Sequence, residues 1–194
     1  MPVNSAVARF YWSQIKGSTR ILDLGCGSGG FGCFAPPSVE VYGIDLNTSA
    51  LEKAKEWEIV KCWDLDSSQS LPFPDEYFDA VVAKDILEHL QKPWRVVAEI
   101  KRITRVGGIV LGSVICEHGK RTWADYTHVR GFTEVSVRQL FEDSGLEVVA
   151  VWRMGPVPLS SRLRAIRLVP VLLRLPVLHW MWTSSYEIRA LRTS

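Results

Sequence analysis

Apolar and polar residues alternate along this chain in short blocks that predict strands and helices in turn. Apolar runs typical of buried strands end at about residues 24, 44, 63, 84, 115 and 153, and a last strand is predicted at 185–191. Apolar residues at helical spacing predict helices at 4–16, 50–57, 93–104 and 133–144, with a shorter one at 31–35. This order of elements predicts an α/β fold with a mostly parallel sheet covered on both faces.

Local signals set the ends of the predicted helices. Ser49 and Glu52 fit a capping box in front of the second long helix. Pro93 suits the first residue of the next helix, and Gly107-Gly108 are expected to end it. Thr133 is the predicted N-cap of the last helix.

A glycine-rich turn follows the first predicted strand. Gly25, Gly27 and Gly29 let the backbone turn sharply and approach a ligand closely, and the helix predicted at 31–35 would offer its free N–H groups there. Asp45 ends the second strand twenty residues after Gly25, as a nucleoside-binding βαβ unit requires. The pattern alone fits a nicotinamide or flavin dinucleotide and an adenosyl cofactor equally well.

An acid lies at or near the end of each of the first three predicted strands, and each acid suits a different part of a ligand. Asp23 precedes the turn where a dinucleotide would place its pyrophosphate, so its charge disfavours that ligand and favours a cation such as an ammonium group. Asp45 can accept hydrogen bonds from a ribose diol, and Asp64 can accept one from an adenine amino group. The structural alternative for Asp45 and Asp64 is helix capping, and for Asp23 it is to accept hydrogen bonds from the amides of the turn.

Composition narrows the class of protein. The 194 residues suffice for one domain, 1–194, and the net charge of +2 argues against dependence on nucleic-acid phosphates. Four cysteines without a C-x-x-C pair favour a reducing cytoplasm and predict no metal site. The beginning of the sequence shows no apolar signal core.

The segment 154–184 combines arginines with bulky aliphatic residues, mainly within 162–182. Two interpretations stay open for it. It is either a cap whose apolar side forms a substrate wall, or a surface that lies peripherally on a membrane with its arginines toward lipid phosphates.

Four motifs in this order resemble class I S-adenosylmethionine-dependent methyltransferases, most closely the small-molecule (type 11) branch. They are Ile21–Gly29, Tyr42–Leu46, Leu71–Asp79 and Ile86–Leu90. The resemblance covers residues 18–153, between an N-terminal helix at 1–17 and the last strand at 185–194. It implies a Rossmann-like three-layer sandwich whose seven-stranded, mostly parallel sheet has an antiparallel last strand. It also implies methyl transfer from S-adenosyl-L-methionine to a small acceptor.

The resemblance also implies a set of cofactor-binding residues. The methionine moiety would lie against Asp23, the turn at Gly25, Cys26, Gly27 and Gly29, and the group Lys84, Asp85 and Ile86. Asp45 would bind the ribose, Leu46 would pack on the adenine, and Asp64 with Leu65 would contact the adenine edge. Trp63 stands where the family usually has glycine, so it either stacks on the base or fills the core.

A hydroxyl or acidic carbon acceptor needs a base close to its proton. The candidates are His128, Asp125 and His89, with Asp85 as a further one. The resemblance places an Asp-x-x-His segment after strand five, on the side that faces the substrate. The structural alternative for His128 is to hold the long loop by hydrogen bonds.

Two other functions fit the same sequence. One is an NAD(P)-dependent oxidoreductase on the same type of fold. The other is a module that binds the cofactor without catalysis and serves a partner protein. The sequence predicts neither the acceptor nor the oligomeric state.

Overall fold

The computed structural model of the protein describes residues 5–118, 122–154 and 184–194. These residues form one seven-stranded sheet with four α-helices around it. The strands are β1 (Arg20–Leu24), β2 (Glu40–Asp45), β3 (Ile59–Cys62), β4 (Phe78–Lys84), β5 (Thr104–Ile115), β6 (Glu147–Met154) and β7 (Ser185–Leu191). The helices are α1 (Ser5–Gln14), α2 (Thr48–Ala54), α3 (Pro93–Ile103) and α4 (Glu134–Asp143), with 3-10 helices at Gly32–Phe34 and Leu87–His89.

The order of strands in the sheet is β3-β2-β1-β4-β5-β7-β6. Neighbours among β1 to β5 pair in parallel, whereas β7 pairs antiparallel with both β5 and β6. The predicted Rossmann-like sheet with an antiparallel last strand is therefore confirmed. The chain leaves β1 first toward β2 and later toward β4, so the carboxyl ends of β1, β2 and β4 surround a topological switch point, where open α/β sheets bind ligands.

Alternating side chains along β1 separate the two layers of the core. Leu22 and Leu24 belong to the larger core cluster, which also holds buried residues of α3 and α4. Ile21 points the other way, into a smaller cluster that holds Tyr11 and Ile15. The central strands are buried on both faces, which explains the continuous apolar run in β4.

The first helix packs on the sheet and extends over the segment that follows the glycine turn. Tyr11 and Ile15 are buried, while Phe10 is partly buried against the same cluster. The ring of Trp12 stacks on that of Phe31, with centroids 4.5 Å apart and planes 3° from parallel. This contact ties α1 to the exit of the glycine turn.

Three local predictions are wrong in detail. The side chain of Asn47, not a capping box of Ser49 and Glu52, accepts the N–H of Ala50 and begins α2. Helix α3 ends at Ile103, because Thr104 is already extended. Strand β5 therefore begins before the two glycines that were expected to end the helix.

The segment after the glycine turn is the third correction. A three-residue 3-10 helix, Gly32–Phe34, replaces the helix predicted at 31–35. So short an element has little dipole to offer a ligand, and the N–H of Gly32 donates to Glu58 Oε1 at 3.0 Å. That N–H is therefore satisfied within the protein.

The cap or membrane surface predicted at 154–184 lies, apart from its two end residues, outside the described residues. Among the helices that the structure describes, none combines the length and the apolar character needed to cross a membrane.

Candidate cofactor and acceptor site

A cleft of about 200 Å³ opens at the carboxyl ends of the central strands. A larger hollow of about 540 Å³ lies at the opposite edge, where Thr19 and Val39 precede β1 and β2. Ligands of open α/β sheets bind at the carboxyl edge, so the smaller cleft is the candidate site. Its lining residues are Gly25, Asp45, Leu46, Trp63, Asp64, Leu65, Asp66, Ile86, His89 and Leu90.

Asp45 is held rigidly at the end of β2. Its Oδ2 accepts the N–H of Gly27 at 2.9 Å, and its Oδ1 accepts the N–H of Asn47 at 2.8 Å. A carboxylate has about four lone-pair sites, so each oxygen can accept one more hydrogen bond. Asp45 thus joins the glycine turn to the start of α2 and still presents two acceptors to the cleft.

The glycine turn can approach the cleft only because it lacks side chains. Gly25 has a φ of +76°, and a Cβ there would lie 2.8 Å from Ile86 Cγ1. The backbone of the turn therefore packs directly on Ile86. Gly27 and Gly29 also have positive φ angles, of +53° and +76°.

Apolar side chains form two walls of the cleft. Leu46 is 65% exposed at the rim of the cleft. Trp63 packs partly on the core, and its Nε1 is buried without a hydrogen-bond partner among the described residues. Asp64 Oδ1 accepts the N–H of Asp66 at 2.9 Å, beside the partly buried Leu65.

Asp23 does not line the cleft but lies beneath the turn, only 5% exposed. Burial, and next the negative charge of Glu58, raise the pKa of Asp23 well above its usual value. Burial also raises the pKa of Glu58 to about 7. Cys26 is buried beside them, and its pKa is raised by burial and then by Glu58. Sequence reasoning missed Glu58, because nothing local marks an acid before a strand as buried.

A polar network extends across the sheet from Lys84 and Asp85, which are partly exposed, to the buried Ser113 and Glu187. Asp85 contacts Lys84 Nζ and accepts a hydrogen bond of 2.6 Å from Ser113 Oγ. Ser113 Oγ also lies 3.1 Å from Glu187 Oε1, and Tyr11 donates its hydroxyl hydrogen to the same carboxylate. The pairing of β5 with β4 and β7 brings Lys84, Ser113 and Glu187 together, and no local pattern in the sequence indicates that contact.

Two histidines meet beside the cleft. The rings of His89 and His128 lie edge to face with centroids 4.6 Å apart. His128 Nδ1 is 2.6 Å from the carbonyl oxygen of Thr122. A carbonyl oxygen only accepts, so this nitrogen carries a hydrogen, and in the neutral ring the lone pair of His128 is on Nε2.

The same argument fixes the tautomer of His89. Its Nδ1 is 2.9 Å from Thr127 Oγ1, whose own hydrogen is donated to Asp125 Oδ1 at 2.6 Å. The hydroxyl oxygen therefore accepts from His89 Nδ1, and Nε2 of His89 also keeps its lone pair. Hydrogen bonds from the hydroxyl and the N–H of Thr127 lower the pKa of Asp125, which stays ionised.

Apart from Gly27 and Gly29 of the turn, the structure divides the predicted site residues into four groups. Gly25, Asp45, Leu46, Asp64, Leu65, Ile86 and His89 line the cleft. Asp23 and Cys26 are buried below the turn, and Lys84 and Asp85 belong to the polar network. Asp125 and His128 stand beside His89 on the loop after β5.

Glu88 lies next to the histidines. It belongs to the motif Ile86–Leu90, but the sequence alone assigned its side chain no role. It is 2% exposed, and its Oε2 has no hydrogen-bond partner in the part of the chain that the structure describes. Burial raises the pKa of Glu88 to about 8.

Comparison with known proteins defines the class to which this site belongs. A family model for a methyltransferase domain matches residues 22–112. A phosphatidylethanolamine N-methyltransferase of Cereibacter sphaeroides is 32% identical over 162 residues, which cover 75% of this chain and 78% of that protein. An uncharacterized methyltransferase of Schizosaccharomyces pombe is 39% identical over 111 residues, covering 50% of this chain and 40% of that protein.

A solved structure agrees with these relatives. The crystal structure of a methyltransferase dependent on S-adenosylmethionine, from Archaeoglobus fulgidus, matches the fold with a TM-score of 0.75 and 19% identity. The match covers 96% of this chain and 91% of that one. The chain belongs to the S-adenosylmethionine-dependent methyltransferases, and S-adenosyl-L-methionine is the cofactor of its fold. The chain spans 40% and 78% of the lengths of the two relatives described above.

Proposed function

We propose that this protein transfers the methyl group of S-adenosylmethionine to a small acceptor with substantial apolar character. The rigid Asp45 carboxylate beside an apolar cleft at the switch point carries the proposal. The relative named for phosphatidylethanolamine supports an acceptor with apolar parts. So do Trp123 and Tyr126, which are 67% and 97% exposed on the loop that holds His128.

The nucleoside half of the cofactor fits the cleft lining. The two free acceptor sites of Asp45 suit the ribose hydroxyls, and Leu46 with Ile86 would enclose the adenine between apolar surfaces. Asp64 and Leu65 stand at the edge where the base would end. Trp63 belongs to the wall of this pocket and to the core behind it.

The methionine half would follow the glycine turn. The backbone at Gly25, Gly27 and Gly29 has no side chain to obstruct the cofactor, and the side chain of Cys26 is buried in the core. Asp23, Lys84 and Asp85 supply the charges around its amino and carboxylate groups. Lys84 and Asp45 both act electrostatically on Asp23, so these groups share one neighbourhood.

Methyl transfer from a sulfonium is an in-line displacement, and much of its acceleration comes from alignment, up to roughly 7–11 kcal/mol in favourable cases. An acceptor hydroxyl would also lose a proton. We place this step at the histidine pair, where His128 and His89 offer Nε2 lone pairs. Asp125 orients His89 through Thr127.

Replacing Asp45 tests the cofactor assignment. Asp45→Ala removes charge-assisted hydrogen bonds worth about 1.5–3 kcal/mol each, so calorimetry should show at least a tenfold loss of affinity for S-adenosylmethionine. Asp45→Asn, which keeps one acceptor for the turn, should lose less. Asp143→Ala, an exposed acid at the end of α4, is the matched control and should bind normally. Unchanged affinity in Asp45→Ala would remove this residue from the site.

Transfer of a labelled methyl group tests the reaction itself. Lipid, quinone, sugar and phenolic acceptors form the panel, and we expect label only in acceptors that combine a nucleophile with an apolar body. Cofactor binding without label in any acceptor would favour the non-catalytic module instead.

A further inference from the structure

Three side chains of metal-binding type converge beside the cleft. Glu88 and His89 belong to the 3-10 helix after β4, and His128 comes from the loop after β5. One oxygen or nitrogen from each lies within 4.8 Å of the others. The loop is fixed to the helix at this point, because the N–H of Val129 donates to the carbonyl oxygen of Glu88 at 3.0 Å.

The protonation pattern of the cluster favours a cation. Both imidazoles donate through Nδ1, to the Thr122 carbonyl and to the Thr127 hydroxyl, which leaves both Nε2 lone pairs available. Histidines that bind metals almost always donate their other N–H to such a partner, which fixes the tautomer and the orientation of the ring. For His89 this partner is the hydroxyl of Thr127, which in turn donates to the carboxylate of Asp125.

Glu88 supplies an independent observation. Its carboxyl is almost completely buried, yet Oε2 has no hydrogen-bond partner within the described residues. A buried polar oxygen without a partner is costly unless something binds to it. An ion bound beside the two histidines would satisfy that oxygen.

We propose that Glu88, His89 and His128 bind one divalent transition-metal ion. Two imidazoles and one carboxylate suit Zn²⁺ and its first-row neighbours such as Co²⁺, and three protein ligands leave a position open. Ligands about 2.1 Å from a tetrahedral ion lie about 3.4 Å apart, so the side chains would close by at most about 1.4 Å.

The open position would face the acceptor. There an ion can bind an acceptor oxygen and lower its pKa, as it does for bound water. In the metal-loaded protein the two histidines are then ligands, and the ion replaces them in activating the acceptor. The role of the ion in activating the acceptor rests on the proposed methyl transfer, but the binding of the ion does not. Either hypothesis can therefore be wrong while the other holds.

Metal binding is measured on the whole protein after dialysis against a chelator, without substrate. Calorimetry should show that the protein binds one equivalent of Zn²⁺. Glu88→Gln and His128→Gln should each weaken the binding of Zn²⁺ at least tenfold. Thr127→Val keeps all three ligands but removes the acceptor for His89 Nδ1, so it should weaken binding about 10-fold. Affinity for S-adenosylmethionine, measured alongside, confirms that each variant is folded.

Two controls separate this site from surface binding. His118→Gln, a histidine outside the cluster, and a Cys33→Ser/Cys62→Ser variant without the exposed thiols should keep the wild-type affinity. The absorption of Co²⁺ should lack a thiolate charge-transfer band. The proposal is overturned if no equivalent binds, if the thiol variant loses the ion, or if Glu88→Gln and His128→Gln bind normally while retaining the cofactor.

Discussion

At the scale of single residues, Glu58 depends on two glycines for its position. A Cβ on Gly32 would lie 2.4 Å from Glu58 Cγ, and one on Gly43 would lie 2.2 Å from its Oε2. The carboxyl therefore occupies a slot under the glycine turn, next to Asp23. Both glycines and the acid were visible in the sequence, but their convergence depends on which strands are neighbours, and no local pattern encodes that.

The burial of Glu58 makes stability depend on pH. Its pKa is about 7 in the fold and about 4.3 when unfolded, so its favourable contribution is present below about pH 4 and is lost as the pH rises through about 7. Glu58→Gln does not titrate. We expect this variant to gain roughly 2–4 kcal/mol relative to wild type between pH 4 and pH 8.

Urea unfolding at several pH values measures this difference. Glu56→Gln, an exposed acid two residues earlier, should follow the wild type throughout. If Glu58→Gln and wild type show the same pH dependence, Glu58 does not titrate as the structure indicates.

At the scale of elements, the start of α2 shows which details the sequence leaves open. Asn47, Thr48 and Ser49 are all residues that cap helices, and the sequence alone favoured Ser49. The structure begins the helix at Thr48 because Asp45 accepts the N–H of Asn47 and fixes that residue as the N-cap. The existence of the helix followed from periodicity, whereas its boundary followed from a contact with the preceding strand.

Alanine substitutions distinguish the two caps. Asn47→Ala removes the acceptor for the N–H of Ala50 and should cost about 0.5–2 kcal/mol of stability. Ser49→Ala, inside the first turn and exposed, should change the free energy of unfolding by less than about 0.5 kcal/mol. Chemical unfolding measures the free energy of unfolding of both variants. Equal losses of stability would favour the capping box of Ser49 instead.

At the scale of the whole molecule, the resemblance predicted a seven-stranded, mostly parallel sheet with an antiparallel last strand, whereas nothing predicted the arrangement of the acceptor side. The continuous apolar run of β4 predicted a strand buried on both faces, and the order of the motifs carried the resemblance that implied the sheet. The histidine pair and the network from Tyr11 to Lys84 join elements far apart in the chain, through loop geometry and strand register. Sequence could nominate His89 and His128 separately, but not show that they touch.

Binding of the cofactor should be visible as a change in global stability. A ligand at 100 times its Kd stabilises the native state by about 2.7 kcal/mol, which for a chain of this size raises Tm by roughly 5–11 °C. We expect this shift with S-adenosylmethionine and none with reduced NAD. Differential scanning fluorimetry with both ligands makes the measurement, and an equal shift with reduced NAD would revive the oxidoreductase interpretation.

The position of β7 has a consequence for how the chain is made. This strand follows β6 in sequence but lies between β5 and β6 in the sheet. Strand β6 therefore cannot join the rest of the sheet until residues 185–191 have left the ribosome. Until then β5 and β6 each present an unpaired backbone edge to neighbouring nascent chains. A chain stopped before Ser185 would keep both edges, and we infer that premature termination yields an aggregation-prone product and not a smaller enzyme.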